Sequence, residues 1–244
     1  NEGLLGNHPI INNVIIWDKK NKKYDNLKII TKSVKSAKYD LLVNLQRFAS
    51  SGLITAFSGA KEKVGFKKNP MSFCFTKKYK HNIGDGTHEI ERNHQLIKQI
   101  TDNIPAHPKL YPSNQDYENV LPYKKQEYVC MAPTSVWFTK QLPKEQWVKV
   151  IQKVSDKQLV YLLGGPGDSE QCEAIKELAA NKNVINLAGK LSFLESAALM
   201  QNAKMNYVND SAPLHIASAM NAPVTAYFCS TVPSFGFGPL SDNK

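Results

Sequence analysis

The second half of the sequence alternates short apolar runs with amphipathic stretches. The apolar runs cover residues 128–132, 159–163, 184–187, 205–208 and 223–228, and we predict a buried strand at each. Strands that are apolar on both faces are typical of a parallel sheet that helices cover on both sides. This half of the chain is therefore predicted to be an α/β domain.

Helix signals fill the intervals between these runs. Trp147 and Ile151 recur at helical spacing behind Pro143, a residue that fits the first turn of a helix. Ser192 and Glu195 form a capping box, in which each side chain satisfies a free amide of the first turn. Helices are predicted at residues 143–154, 168–180, 192–203 and 213–220.

The first half repeats this pattern less regularly. Residues 14–17, 27–30 and 41–45 are short apolar runs that we interpret as strands or buried segments. Residues 103–123 contain four prolines, which indicates a linker. The sequence thus predicts two α/β domains, at residues 1–122 and 123–244.

Composition narrows the class of protein. The 244 residues are 42% hydrophobic and 21% charged, values that exclude a disordered, collagen-like or coiled-coil chain. No apolar run approaches the ~18–20 residues of a membrane-spanning helix, and no signal peptide is visible. The four cysteines lack zinc spacing, so we predict reduced thiols in a cytoplasmic protein without a metal or a cofactor.

Positive charge is concentrated in the first half. The net charge is +10, of which residues 1–122 carry +8, with 19 basic and 11 acidic side chains. Such an excess indicates an anionic partner: a nucleic acid, a phosphorylated small molecule or a membrane surface. A solvated surface that only maintains solubility is the alternative interpretation.

Polar residues follow the predicted strands where a parallel sheet binds ligands, at the carboxyl ends of its strands. Thr134, Ser135 and Lys140 lie between a strand and a helix start, an arrangement that suits an anion. Taken alone, this loop is better explained as a capped helix beside a solvent-exposed lysine. Asp168 ends a glycine turn that is neither GxGxxG nor a phosphate-binding loop. It can bind ribose hydroxyls or cap a helix.

A denser polar group follows the strand at 205–208. Asp210 and Ser211 leave that strand, Pro213 opens a helix, and His215 lies in its first turn. A helix cap explains one of the two oxygen-bearing residues but not both together with the histidine, which favours function. The aromatic, glycine-rich residues 231–239 either stack on a base or close the sheet.

These motifs together resemble one family. Residues 209–215 read Asn-Asp-Ser-Ala-Pro-Leu-His and residues 237–239 read Phe-Gly-Pro, while Lys140, Pro143 and Trp147 precede them at a matching spacing. In this order they resemble the ADP-heptose–lipopolysaccharide heptosyltransferases, which are inverting glycosyltransferases. The resemblance covers most of residues 124–240, and 40–47 and 88–92 are weaker matches.

The resemblance implies a fold of two Rossmann-like domains with parallel sheets facing a cleft. Residues 1–122 would bind a lipid-linked acceptor, and 123–244 would bind the nucleotide sugar. The implied donor contacts comprise Lys140 on the diphosphate with Thr134 and Ser135 nearby, Asp168 on the ribose, Leu191 beside the base, Asp210 and His215 on sugar and phosphates, and Ser211, Ala212 and the following amides on the diphosphate.

The implied reaction is a single displacement at the anomeric carbon, in which an acceptor hydroxyl attacks and a nucleoside diphosphate leaves. Lys140 and a helix N-terminus can stabilise that leaving group without a metal. The family's aspartate base falls before residue 1, so the chain is expected to be a fragment whose first domain lacks its N-terminal strand. A lipid-linked acceptor implies a peripheral site on the inner face of the inner membrane, with no nucleic acid as partner.

Two alternatives stay open at this point. One is a glycosyltransferase that uses another donor, such as a UDP-sugar, since pocket shape sets base identity. The other is a non-catalytic protein that binds nucleotide sugars or polyanions. The lysines of residues 19–38 are not interleaved with the stacking aromatics that single-strand binders use, which disfavours a nucleic-acid function.

Overall fold

A computed structural model of the chain describes residues 2–154 and 157–244. The chain folds as two compact units. One contains residues 13–106, and the other joins residues 2–12 to residues 107–244. Within the described residues, no helix is long and apolar enough to cross a bilayer.

The smaller unit, residues 13–106, is built on a three-stranded parallel sheet of order β1-β2-β3. Its elements are α1 (Lys23–Ser36), β1 (Leu41–Asn44), α2 (Ala49–Phe57), β2 (Glu62–Phe66), β3 (Lys77–Tyr79) and α3 (Glu89–His94). Its buried core is small and consists mainly of Val64, Phe66 and Leu96. The strand predicted at 41–45 is confirmed as β1.

Two sequence interpretations in this unit are wrong. Residues 27–30 lie in helix α1, because Leu27, Ile30 and Val34 recur at helical spacing once the window is widened. Residues 14–17 form no strand, and Ile15 and Ile16 remain 42% and 56% exposed. Short apolar runs do not distinguish a strand from a helix or a loop by themselves.

The larger unit contains a five-stranded sheet of order β6-β5-β4-β7-β8, parallel throughout. Its elements are α4 (Asn114–Val120), β4 (Tyr128–Ala132), α5 (Lys144–Lys153), β5 (Leu159–Leu162), α6 (Ser169–Ala179), β6 (Val184–Asn186), α7 (Phe193–Gln201), β7 (Asn206–Asn209), α8 (Ala212–Ala219) and β8 (Val224–Tyr227). Every strand and helix predicted in this half is confirmed, as is the capping box of Ser192 and Glu195. Buried clusters lie on both faces of the sheet.

The boundary between the units differs from the predicted one at residue 122. The proline-containing segment from residue 107 onward packs on the larger unit instead of linking two domains. Helix α4 lies against α7, where the Tyr117 hydroxyl donates a hydrogen bond to Gln201 Oε1 at 2.8 Å. Val120 is completely buried in the core there. Near the start of the chain, the His8 ring meets the edge of the Tyr111 ring at 4.7 Å.

Candidate nucleotide-sugar site

The candidate site lies where the chain reverses its direction across the five-stranded sheet. Strand β4 is followed by β5 on one side and pairs with β7 on the other, with Ala132 opposite Val208. The loops that leave β4 and β7 diverge at such a point, and open parallel sheets bind ligands in the crevice between them. The predicted residues from Thr134 to Lys140 and from Asp210 to His215 leave these two strands.

The structure brings two predicted residues into direct contact. Lys140 Nζ lies 2.6 Å from Asp210 Oδ2, and the Asp210 side chain is only 5% exposed. The Thr231 hydroxyl, from the loop after β8, donates to the same carboxylate oxygen at 2.6 Å. A cation and a nearly buried anion are thereby held at fixed positions at the carboxyl edge. The lysine keeps 27% of its side chain accessible.

Asn209 fastens the two diverging loops to each other. Its amide nitrogen donates to the Pro133 carbonyl oxygen at 2.8 Å, and its amide oxygen accepts from the Leu142 N–H at 3.1 Å. The residue is completely buried at the end of β7. The loop that contains Lys140 is thus held at both of its ends by one side chain.

The same loop has a second brace and an exposed tip. Gln141 donates to the Ser135 carbonyl oxygen at 2.7 Å and accepts from the Gln171 amide of α6 at 2.9 Å. Thr134 is buried, and Ser135 is half-buried beside it. The tip is strongly exposed, with Trp137 68% accessible. The loop is therefore braced at its base and open to solvent at its tip.

Helix α8 begins beside the Lys140–Asp210 pair without a side-chain cap. Ser211 occupies the N-cap position, but its hydroxyl does not bond to the first-turn amides and lies 3.5 Å from the Asn209 carbonyl oxygen. Ala212 and His215 are exposed on the first turn. An uncapped helix N-terminus has outward-pointing amides and a partial positive charge, which favour an anion.

Asp168 lies beyond the β5 end and stabilises its own turn. Its Oδ2 atom accepts the Gly165 N–H at 2.7 Å within the preceding turn. Asp168 stands at the N-cap position of α6, but its side chain makes no capping bond to that helix, so the predicted side-chain cap does not form. This turn packs tightly on the one after β6, because a Cβ at Gly189 would come within 2.8 Å of the Pro166 Cα. Gly189 also has a φ of +75°, so this position favours glycine on two grounds.

Leu191 is the outermost of the predicted residues. It follows β6 at the far side of the sheet and packs, half-buried, against the apolar core. The structure gives neither Leu191 nor Asp168 a contact with the Lys140–Asp210 pair. From the end of β6 to the end of β7 the edge crosses three strand spacings of ~4.8 Å, roughly 14 Å in total. An extended nucleoside diphosphate fits a line of that length.

The smaller unit contains a separate buried polar cluster. His81 Nε2 lies 3.0 Å from Glu89, whose Oε2 atom accepts from Arg92 Nε at 2.8 Å. The side chains of His81 and Arg92 are both only 2% exposed. Burial alone would raise the pKa of Glu89, but hydrogen bonds from His81 and Arg92 outweigh it and hold the pKa below its usual value.

Sequence reasoning missed two residues of the site. The sequence indicates Asn209 only as the first residue of the 209–215 motif and Thr231 only as the first residue of the aromatic loop at 231–239, and it predicts no role for either side chain. The signal for Asn209 is an amide at the end of an otherwise apolar strand, where a buried polar group must find partners. Thr231 has no comparable signal, since its partner Asp210 is 21 residues away in sequence.

The five-stranded parallel sheet, covered on both faces and reversing its strand order at β4, places this unit in the doubly wound α/β class. The model of glycosyltransferase family 9 (heptosyltransferase) matches residues 28–244, and the chain belongs to that family. The family resemblance seen in the sequence and the predicted parallel-sheet α/β class are both confirmed.

Curated relatives cover most of the chain. Lipopolysaccharide heptosyltransferase 3 from Escherichia coli is 28% identical over 98% of this chain and 75% of its own length. Lipopolysaccharide heptosyltransferase 1 from Campylobacter coli is 25% identical over 96% of this chain and 73% of its own. The chain therefore spans about three quarters of the length of these two relatives.

Solved structures show the same fold at lower identity. A family 9 glycosyl transferase from Veillonella parvula superimposes with a TM-score of 0.82 at 18% identity. The match covers 98% of this chain and 72% of the Veillonella chain. The E. coli heptosyltransferase WaaC, solved with ADP, gives a TM-score of 0.68 at 19% identity. The match covers 89% of this chain and 69% of the WaaC chain.

Proposed function

We propose that this chain transfers a heptose from ADP-heptose to a lipopolysaccharide core acceptor, with inversion at the anomeric carbon. The observation that carries the proposal is the position of Lys140, which Asp210 holds at the reversal point of the sheet. The names of the curated relatives and of the ADP-bound structural neighbour support the choice of donor and acceptor.

The donor diphosphate is proposed to bind between the loops after β4 and β7. Lys140 neutralises the developing charge of the ADP leaving group, and the Ser211 hydroxyl and the α8 amides from Ala212 onward bind its oxygens. Thr134 and Ser135 line the other loop. A preformed cationic site stabilises a leaving diphosphate with little reorganisation, since its brace is already in place.

The rest of the donor is proposed to lie along the carboxyl edge of the sheet. Leu191 contacts the base at the β6 end, and Asp168 binds the ribose with the carboxylate oxygen that its turn does not use. Asp210 and His215 contact the transferred sugar and the phosphates. The order of these residues along the edge, from β6 to β7, matches the order of the parts of the donor.

The acceptor is proposed to be a lipid-linked oligosaccharide bound by the N-terminal domain. That part of the chain carries most of the net positive charge, which suits an acceptor with phosphates. A lipid-linked acceptor also implies that the protein associates peripherally with an anionic membrane surface, on the inner face of the inner membrane.

Thermal unfolding with ADP, ADP-heptose, UDP and a UDP-sugar tests the donor site. A ligand at 100 times its Kd adds about 2.7 kcal/mol of stability. Lys140→Met removes the cation but leaves the Asp210 carboxylate unpaired, so it also destabilises the unliganded protein. The double variant Lys140→Met/Asp210→Asn removes both charges and serves as the matched control for stability.

We expect ADP and ADP-heptose to stabilise the wild type, and neither to stabilise the double variant although its unliganded stability recovers. Stabilisation by the UDP compounds instead would keep a glycosyltransferase but change its donor. Binding to several polyanions with a steep salt dependence and no nucleotide-sugar response would favour the non-catalytic alternative. The anomeric configuration of the product, measured by NMR, tests inversion separately.

A further inference from the structure

One face of helix α1 has an unusual composition for a solvated surface. Lys28, Lys32 and Lys35 recur every three or four residues, on the side of the helix opposite to the buried Ile30 and Val34. Tyr24 lies one turn before Lys28 on the same side, and Ile29 lies at its flank. The exposed Asp25 lies one turn before Lys28 and Ile29 and is the acidic side chain of this side of the helix. We call Tyr24, Lys28, Ile29, Lys32 and Lys35 the α1 outer face.

The charge of this region is largely uncompensated. Residues 18–38 contain eight lysines and two aspartates, which gives +6 of the chain's net +10. Within the ranges that the structure describes, Lys28, Lys32 and Lys35 form no ion pair. Asp18 accepts hydrogen bonds from the Lys20 and Asn21 amides in its own turn. The outer-face lysines are therefore available to an external anion.

Two large side chains on the same face are exposed to water. Tyr24 is 71% accessible and Ile29 is 64% accessible. A purely solvated lysine stripe does not need them, and phosphates gain little from contact with an isoleucine. Lysines next to a tyrosine and an exposed aliphatic group are the side chains that suit the boundary between headgroups and acyl chains.

We propose that the α1 outer face docks the protein on an anionic phospholipid bilayer. Lys28, Lys32 and Lys35 would pair with headgroup phosphates, while Tyr24 and Ile29 would enter the boundary between the headgroups and the acyl chains. The choice of a bilayer over another polyanion rests on the proposed function, whose acceptor is lipid-linked.

Vesicle flotation tests this proposal with the full chain, in phosphatidylcholine vesicles with and without 30% phosphatidylglycerol. The test variant is Lys28→Gln/Lys32→Gln/Lys35→Gln. The matched control, Lys149→Gln/Lys153→Gln/Lys182→Gln, removes the same charge from exposed lysines of the larger unit. A third variant, Tyr24→Ser/Ile29→Ser, keeps every charge. Thermal stabilisation by ADP is measured for each variant as an independent check on the donor site.

We expect binding only to the anionic vesicles. The test variant should lose on the order of a hundredfold in partitioning, at roughly fivefold per lysine. The control should lose far less, and Tyr24→Ser/Ile29→Ser should weaken binding with the salt dependence unchanged. Equal losses in test and control variants would overturn the proposal, as would α1-dependent binding to a DNA duplex without vesicle binding. An unchanged ADP response in either case would leave the donor site standing, so the two failures are distinguishable.

Discussion

The two units use similar parallel sheets but bury them to different depths. In the larger unit all five residues of β4 are buried, and apolar clusters cover both faces of the sheet. In the smaller unit β1 buries only Asn44 among its four residues, and the buried apolar cluster on the sheet contains three residues, Val64, Phe66 and Leu96. The larger unit therefore has the rigid edge that a nucleotide site needs, while the smaller unit contributes charge and surface.

The comparison predicts its largest effect at a tryptophan. Trp147 is completely buried under the sheet, with its ring 5.2 Å from that of Tyr227, so Trp147→Ala should cost ~3–5 kcal/mol of unfolding free energy. Trp137 is 68% exposed, and Trp137→Ala should stay within ~0.5 kcal/mol. Urea unfolding measures both. Similar losses for the two variants would contradict the core assignment.

A second prediction compares two buried asparagines that hold loops in place, one in each unit. Asn209 joins the loops after β7 and β4, and Asn69 donates to the Gln46 and Phe48 carbonyl oxygens to join the loops after β2 and β1. Asn209→Leu should cost ~2–4 kcal/mol, because it leaves the carbonyl of the buried Pro133 and the Leu142 N–H without this partner. Asn69→Leu should cost less, ~1–2 kcal/mol, because Gln46 and Phe48 are exposed and the Phe48 carbonyl keeps its bonds from Ser51 and Gly52.

The two asparagine variants should differ in their response to ligand. Only Asn209→Leu releases the loop that contains Lys140. Only this variant should therefore lose the upward shift of its own melting temperature that ADP produces. Loss of the ADP response in Asn69→Leu as well would show that the donor site depends on both units, and the comparison would fail.

The sequence predicted the larger unit well because its strands are apolar on both faces and turn residues bound them. It failed at residues 27–30, where three apolar residues around Lys28 were interpreted as a strand or buried segment. The buried stripe of the helix becomes visible only when Val34 is included. Lys140 and Asp210 were predictable as candidates from their places after strands. Their 2.6 Å contact and the bond from Thr231 were not, since tertiary packing alone joins residues so far apart in sequence.

A third prediction concerns four exposed lysines just before and at the first residue of α1. We extend the proposed acceptor role of the basic N-terminal domain to Lys19, Lys20, Lys22 and Lys23, which are four lysines within five residues. Their replacement by glutamine should raise the KM for acceptor several-fold. The KM for ADP-heptose should not change, because the donor residues lie in the larger unit. Steady-state kinetics with each substrate varied in turn measures both. Unchanged use of the acceptor would refute this role.

The smallest effect is expected on the stability of the smaller unit when the pH is lowered. Glu89 is the carboxylate that His81 and Arg92 hold, and its pKa lies below the usual 4.5 in the folded protein. A lowered pKa means that the ionised form stabilises the fold above the unfolded-state value. This stability is lost as pH falls through the folded-state pKa. Urea midpoints for the smaller unit should therefore decline below about pH 4.5 more steeply in the wild type than in Glu89→Gln.

Glu127 is a matched control, because it is an exposed carboxylate of the larger unit bonded to Lys204 at 3.2 Å. Glu127→Gln should leave the pH dependence of the smaller unit unchanged. If Glu89→Gln has the same slope as the wild type, the cluster does not stabilise the smaller unit through its charge.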